Sequence, residues 1–385
     1  MKIGFIGLGN MGLPMSYNLI KAGYDVYGLN RSKSAEKELL QYGGKIGYSL
    51  IELAKEMDVI LTCLPMPADV KEVYLDEDGL LQNGHKGLIL ADCSTVNPAL
   101  NREIFDEARA RNIEFFDAPV SGGTAGAQTG TLSIMVGGNV KTFETVKPVL
   151  ESMGKYVDYV GESGSGSLVK LINQLMVGTH TQAVSEALAL AEQNGLDLDQ
   201  LVKILSASLS QSRVLERHYN DFISKNDYEP GFALQLLSKD LNLVAELAEE
   251  SMVQLPIGSR VRNLVQRACC HELGSSDMSA MLKFQTKQDE QNRNDEPLKT
   301  FAVFLPMKDA VKSQTYRASH LQFLDDRRNE GVLYANGRFV DGAGGLVIYL
   351  ARSEKEVEDW VRKDPYIIEG ARDYEIHEWE MVPGM

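Results

Sequence analysis

The opening residues, MKIGFIGLGNMG, constrain this chain more than any other stretch. Lys2–Ile6 is a short apolar run that meets Gly7, Gly9 and Gly12 in a G-x-G-x-x-G spacing. A helical pattern follows at once, with Met11, Met15, Leu19 and Ile20 apolar. Strand, glycine turn and helix in that order are the context in which this spacing means dinucleotide binding. Gly7 makes the tight turn, Gly9 leaves the backbone open to a pyrophosphate, and Gly12 lets helix and strand approach. Leu8, Asn10 and Met11 complete the expected cofactor loop, where free N–H groups and the helix dipole favour phosphate. Glycines also gather at plain turns; the element order separates the two readings.

At 385 residues the chain is long enough for two or three domains with sizeable cores. A formal net charge of −15 argues against nucleic-acid binding, which needs a basic face. No apolar run approaches the ~18 residues that would span a bilayer, so no membrane partner is expected. With the first strand starting at Lys2, no signal peptide is expected and the cytoplasm is the expected location. Cys63, Cys93, Cys269 and Cys270 show neither metal spacing nor a disulfide framework. No metal is expected, and the adjacent Cys269 and Cys270 read as small apolar helix residues.

Three segments succeed one another. Residues 1–162 alternate strands, at 2–7, 25–29, 58–64, 87–93, 113–117, 133–136 and 156–159, with amphipathic helices. That alternation predicts a mostly parallel α/β sheet of the Rossmann type. Leu64-Pro65 and Ser94-Thr95 lie at strand ends, where such sheets bind ligands. Residues 163–286 read as all-α, with one long helix at 167–193 closed by Asn194-Gly195 and further helices at 198–206, 234–251, 257–273 and 278–284. Residues 287–299, KQDEQNRNDEPLK, are polar and without periodicity, the composition of a linker. Residues 300–385 run strand, helix, strand, strand, helix, strand, the order of a small ferredoxin-like α+β domain.

Four motifs follow the glycine loop in order: DAPVSGG at 117–123, GSGSLVKLINQ at 164–174, Gly231-Phe232 and Lys239-Asp240-Leu241. Ser121, Gly122 and Gly123 can present a hydroxyl and open backbone N–H groups to a carboxylate; taken alone they are better read as a glycine-rich turn. Lys170 stands on an apolar helical stretch, either as a snorkelling surface lysine or as a partly buried proton donor. Asn173 and Gln174, three and four residues on, share its helix face.

In their joint order these motifs resemble the β-hydroxyacid dehydrogenases, the group of 3-hydroxyisobutyrate dehydrogenases and glyoxylate or succinic semialdehyde reductases. The resemblance covers about the first 286 residues. It implies Lys170 as general acid for carbonyl reduction and general base for alcohol oxidation, a role that requires a pKa near the working pH. Ser121, Gly122, Gly123, Asn173 and Gln174 become substrate residues, and Thr95, Phe232, Lys239 and Asp240 cofactor contacts. The family often has Asn where this chain has Gln174. The implied substrate is a small carboxylate-bearing aldehyde or β-hydroxyacid, and a homo-oligomer is expected. A sulfonate-specific or imine-reducing relative fits less well, because Gly122-Gly123 brings no arginine and Lys170 is kept.

An NAD site usually has an acidic residue about 20 positions beyond the glycine turn. This chain has Asn30-Arg31-Ser32 there. Arg31 can grip a 2′-phosphate that an Asp would repel, which favours NADP. Stacking of Arg31 on adenine is the alternative and leaves NAD usable. The last segment resembles the YciI-like family through RASHL at 317–321, Glu330-Gly331 and Asp364-Pro365-Tyr366. That resemblance implies a His320–Asp364 dyad, with an association module whose His320 is structural as the alternative. A cofactor-binding scaffold without catalysis is the rival for the whole chain.

Overall fold

The computed structural model describes residues 1–294 and 298–381. It forms two compact units, Met1–Arg262 with Leu273–Ala280, and Asn263–Glu272 with the chain from Met281 onward.

In the first unit, strands β1 (Lys2–Ile6), β2 (Asp25–Leu29), β3 (Val59–Thr62), β4 (Ile89–Asp92) and β5 (Glu114–Asp117) pair in parallel in the order β2-β1-β3-β4-β5. β6 (Val120–Ser121), β7 (Leu132–Gly138) and β8 (Gly154–Gly161) extend this sheet. β7 runs antiparallel to β5 and β6 and parallel to β8. Alternation along the strands sends Ile3, Phe5, Val59 and Leu61 into one core and Ile6 and Ile60 into the other. Both faces are covered, which is why these strands read as continuous apolar runs. β1 has β2 on one side and β3 on the other, so the crevice at their carboxyl ends is the topological switch point. Every expected strand of this segment is present, with ends shifted by up to two residues; the two-residue β6 was too short to carry a pattern of its own.

The long helix spans Ser165–Gln193, two residues longer at its start than the sequence reading. Its packing against β7 joins sheet and helical region in one unit. Three expectations need correction. A single helix at 257–273 is not formed: the α-helix is Pro256–Ala268, and Cys269–Leu273 is a π turn in which His271 and Glu272 leave helical geometry. The buried row Val261, Val265 and Ala268 ends there. Cys270 is exposed, so it is not a core-filling helix residue. The start of the 287–299 linker is also helical, because a helix runs Met281–Asn294. Lys, Gln and Glu are good helix formers even where no apolar stripe marks them. Residues 295–297 of that stretch lie outside the described residues.

In the second unit, β9 (Lys299–Pro306), β10 (Leu333–Arg338), β11 (Gly344–Ala351) and β12 (Glu375–Glu378) make an antiparallel sheet in the order β10-β11-β9-β12. With helices between β9 and β10 and between β11 and β12, this is the ferredoxin-like arrangement. Phe301, Val303, Leu305, Val347 and Tyr349 face Leu324, Val357 and Val361 in its core.

Candidate active site

The glycine loop has the geometry its spacing implies. Gly7 has φ +95°, and a Cβ there would lie 2.3 Å from the Cys63 carbonyl oxygen. A Cβ on Gly12 would lie 1.9 Å from the Gly7 carbonyl oxygen, whereas one on Gly9 would meet nothing within 4 Å. The helix that follows, Gly12–Lys21, has no side-chain cap. Leu13 N–H is spent on the Gly9 carbonyl and Pro14 has no N–H, so the N–H groups of Asn10, Met11 and Gly12 with the open space at Gly9 are what fit a pyrophosphate. Asn30 is committed to the protein: Leu8 N–H donates to its Oδ1 at 2.9 Å, and its own N–H donates to Glu36 Oε1 at 3.0 Å. Lys33 also pairs with Glu36, so that buried acid is spent on the loop. The Arg31 side chain is 82% exposed and stands 3.2 Å from Asp69 Oδ1. The Ser32 hydroxyl shares a hydrogen bond with Ser34.

Two more loops close on this crevice. Fully buried Asp92, at the end of β4, accepts from Thr62 Oγ1 at 2.7 Å and from Ser94 N–H at 3.0 Å. Ser94 Oγ in turn accepts from Leu64 N–H at 2.8 Å. Asp92 thus ties the Leu64-Pro65 and Ser94-Thr95 loops together, while burial pushes its carboxyl above the usual range. Lys239 Nζ donates to the Thr95 carbonyl at 2.8 Å and pairs with Asp240 at 2.9 Å.

Lys170 lies one turn into the long helix and is 6% exposed. Its Nζ donates to Gln174 Oε1 at 3.0 Å, and Asn173 Nδ2 donates to the same oxygen at 2.9 Å. Gln174 Nε2 donates to Asp240 Oδ2 at 2.6 Å. Burial brings the Lys170 amine down from its ordinary 10.5 to about 8, against the opposing pull of Asp240. The partly buried Cys63 lies near the same charges, and burial first, then Asp92, pushes its thiol up to about 12. It is therefore no nucleophile at neutral pH.

The helix that carries Lys170 begins on Asp117. This fully buried carboxylate, at the end of β5, accepts from Gly164 N–H at 2.7 Å and from Ser167 N–H at 2.9 Å. Four residues later comes the expected substrate loop. Ser121 is half-buried at the end of β6, and Gly123, φ +63°, would have nothing within 4 Å of a Cβ. Gly231 sits close to Thr124 of this loop. Phe232 N–H donates to Asp277 Oδ2 at 3.0 Å, and Asp277 is gripped in a fork by Arg217 at 3.0 and 2.6 Å. Arg217 also donates to Nδ1 of the buried His218, whose Nε2 meets Thr181 Oγ1 at 3.1 Å. Burial and Arg217 bring His218 down to about 3, so it is neutral in the fold.

The supporting residues Asp92, Asp117, Arg217 and Asp277 were not legible as such. Asp117 was visible as a strand end and the first residue of the DAPVSGG motif, but nothing in its spacing to Gly164 shows that the two meet. In the second unit, His320 Nδ1 lies 2.8 Å from Asp364 Oδ1, and the ring stacks on Tyr366 at 3.9 Å between centroids. Asp364 Oδ1 also accepts from Tyr366 N–H, so the same carboxylate caps the Pro365–Ile368 turn. Among the described residues no group of three or more His, Cys, Asp or Glu comes together as a metal site. No helix among them is long and apolar enough to cross a membrane.

Comparison with known proteins matches three segments of the chain to known families. The family described as the NAD binding domain of 6-phosphogluconate dehydrogenase matches residues 2–161. The NAD-binding domain of NADP-dependent 3-hydroxyisobutyrate dehydrogenase matches 164–285, and the YCII-related domain 300–380. The chain is 36% identical over 283 residues to 2-(hydroxymethyl)glutarate dehydrogenase of Eubacterium barkeri, covering 74% of this chain and 94% of that one. It is 36% identical to 2-hydroxy-3-oxopropionate reductase of Escherichia coli, covering 74% and 96%. The crystal structure of 3-hydroxyisobutyrate dehydrogenase from Salmonella typhimurium superposes with a TM-score of 0.68 at 31% identity, covering 74% of this chain and 99% of that one.

Proposed function

The chain belongs to the 3-hydroxyisobutyrate dehydrogenase family of NAD(P)-dependent enzymes acting on CH–OH groups, with a YCII-related domain behind it; on that premise we propose that it uses NADP to reduce a small carboxylate-bearing aldehyde. The observation that carries this reading is the Lys170 amine, buried yet hydrogen-bonded and held at about 8. An amine so placed gives a proton to a carbonyl oxygen during reduction and takes it back from an alcohol during oxidation. When bound, the nicotinamide supplies or accepts the hydride. Ser121 with the backbone of Gly122 and Gly123 receives the substrate carboxylate, with Asn173 beside it. The glycine loop with Leu8, Asn10 and Met11 takes the pyrophosphate, and Leu64, Pro65, Thr95, Phe232, Lys239 and Asp240 wall the nicotinamide end.

The absence of an acid at the end of β2 and the reach of Arg31 support NADP. One observation favours a second reading, an NAD-dependent 3-hydroxyisobutyrate- or serine-type dehydrogenase: Asp69 engages Arg31 and competes with a 2′-phosphate for it. For the last segment, the His320–Asp364 contact supports a second acid–base site, because a carboxylate at Nδ1 orients the ring. A homo-oligomer belongs to the same reading. Val169, Ile172, Met176 and Leu190 leave an apolar stripe exposed along the long helix, and sedimentation would report the association.

The test is turnover with NADPH and NADH against glyoxylate, succinic semialdehyde, methylmalonate semialdehyde, 3-hydroxyisobutyrate and serine. NADPH-driven reduction of one aldehyde is expected to dominate. Preference for NAD with 3-hydroxyisobutyrate or serine would move the assignment to the second reading. Cofactor binding with no turnover anywhere would make the chain a scaffold.

A further inference from the structure

We propose that Gln174 is a positioning residue that holds the Lys170 amino group while keeping it one amide away from the Asp240 carboxylate. This rests on the reading of Lys170 as the acid–base group. Gln174 is 3% exposed, and its amide is committed at both ends. Oε1 accepts from Lys170 and Asn173, and Nε2 donates to Asp240. Two donors at one end and a carboxylate at the other fix the amide orientation, since a flip would set like groups against each other at all three contacts. With the Lys239–Asp240 pair and the Lys239 bond to the Thr95 carbonyl, one polar chain links Lys170 to the Ser94-Thr95 loop.

Side-chain length decides whether this chain closes. An Asn is shorter by one carbon–carbon bond of ~1.5 Å, too short to keep contacts of 3.0 Å to Lys170 and 2.6 Å to Asp240 from the same backbone position. The charged and titratable groups that face Lys170 are Asp240 and Lys239 from the helix Leu234–Glu250 and Cys63 after β3. A carboxylate in direct contact would lock the amine in its charged form. Through the amide, Asp240 orients Lys170 without capturing its proton, and burial remains the larger influence.

A charge swap on the full-length protein tests this. Gln174→Glu combined with Asp240→Asn preserves the hydrogen-bond chain and the total charge but moves the carboxylate onto Lys170. The pH midpoint for acetic anhydride labelling of Lys170, read by mass spectrometry without cofactor, is expected to rise by about one unit or more. The rising limb of alcohol oxidation against pH should move with it. Gln174→Met, which fills the space without hydrogen bonds, should lose about tenfold in kcat with NADPH affinity unchanged, and Gln174→Asn should not restore it. A labelling midpoint unmoved by the swap, or wild-type kcat in Gln174→Met, would overturn the proposal. If the swap does not fold, the Met variant decides alone. Should Lys170→Ala retain turnover, the underlying reading fails; should it be inactive while the swap changes nothing, only the role of Gln174 fails.

Discussion

A lysine on a helix ordinarily keeps its amine in water, and the amine of Lys170 has instead been drawn inside and given one amide oxygen to bind. Lys170→Ala should therefore lower kcat by ~10²–10⁴, the usual contribution of a general acid–base group. NADPH binding, followed by fluorescence, should scarcely change. The pH dependence follows from the lowered pKa of about 8. Below it the amine is charged and able to donate, so kcat for reduction is high and falls as pH rises through about 8, while oxidation rises over the same interval. Arg31 is the other residue on which the reading turns. Its loss should weaken NADPH roughly tenfold to a hundredfold, the equivalent of a charge-assisted bond of ~1.5–3 kcal/mol, and leave NADH nearly untouched. Equal loss for both in a binding titration would reduce Arg31 to an adenine-stacking role.

Among elements, the long helix owes its placement to a residue from another part of the chain. Asp117 supplies a buried carboxylate to two of its first-turn N–H groups, where the helix dipole favours negative charge. The motif around Lys170 announced the helix, but only the arrival of β5 beside residue 164 shows what anchors it. Asp117→Ala should cost about 1–3 kcal/mol, the penalty for leaving buried N–H groups unpaired, visible as a lower denaturation midpoint. Because Lys170 lies one turn further along, kcat should fall more than cofactor affinity, and a parallel loss of both would mean general unfolding instead. The helix Met281–Asn294 teaches the reverse lesson: its polar tail has helix propensity but no apolar periodicity, so pattern alone gave it to a linker.

For the whole molecule, the functional question is whether the two units work apart. The glycine loop, Asp117, Ser121, Lys170, Gln174, Phe232 and Asp240 all lie within the first unit. The second has its own sheet, its own core and the His320–Asp364 contact. We propose domains at 1–162, 163–286 and 300–385, and the helix end puts the best cut after Asn294 instead of at 287. A chain ending at Asn294 should fold, bind NADP and keep reductase turnover, and the piece from Leu298 should fold alone. Insolubility or lost turnover of the truncated chain, measured against full length, would show that the chain from Leu298 completes the part before it, which keeps Asn263–Glu272 and Met281–Asn294 of the second unit.

The sequence by itself determined the alternation of strands and helices, the glycine loop and the family motifs that single out Lys170. Each of these is local: a glycine fixes its own φ, an apolar run fixes its own burial, and a lysine in a recognisable motif brings its chemistry with it. The tertiary structure decided what those residues touch. That Gln174 spends its amide on Asp240, that Asp117 meets Gly164, and that Asp92 ties Leu64 to Ser94 are contacts between positions 66, 47 and about 30 residues apart. No spacing rule encodes such meetings, because their partners are chosen by the order in which strands enter the sheet and by which helices pack together. The same holds for the Lys170 pKa, which follows from exclusion of water by packing and becomes a property of the residue only once the chain has closed around it.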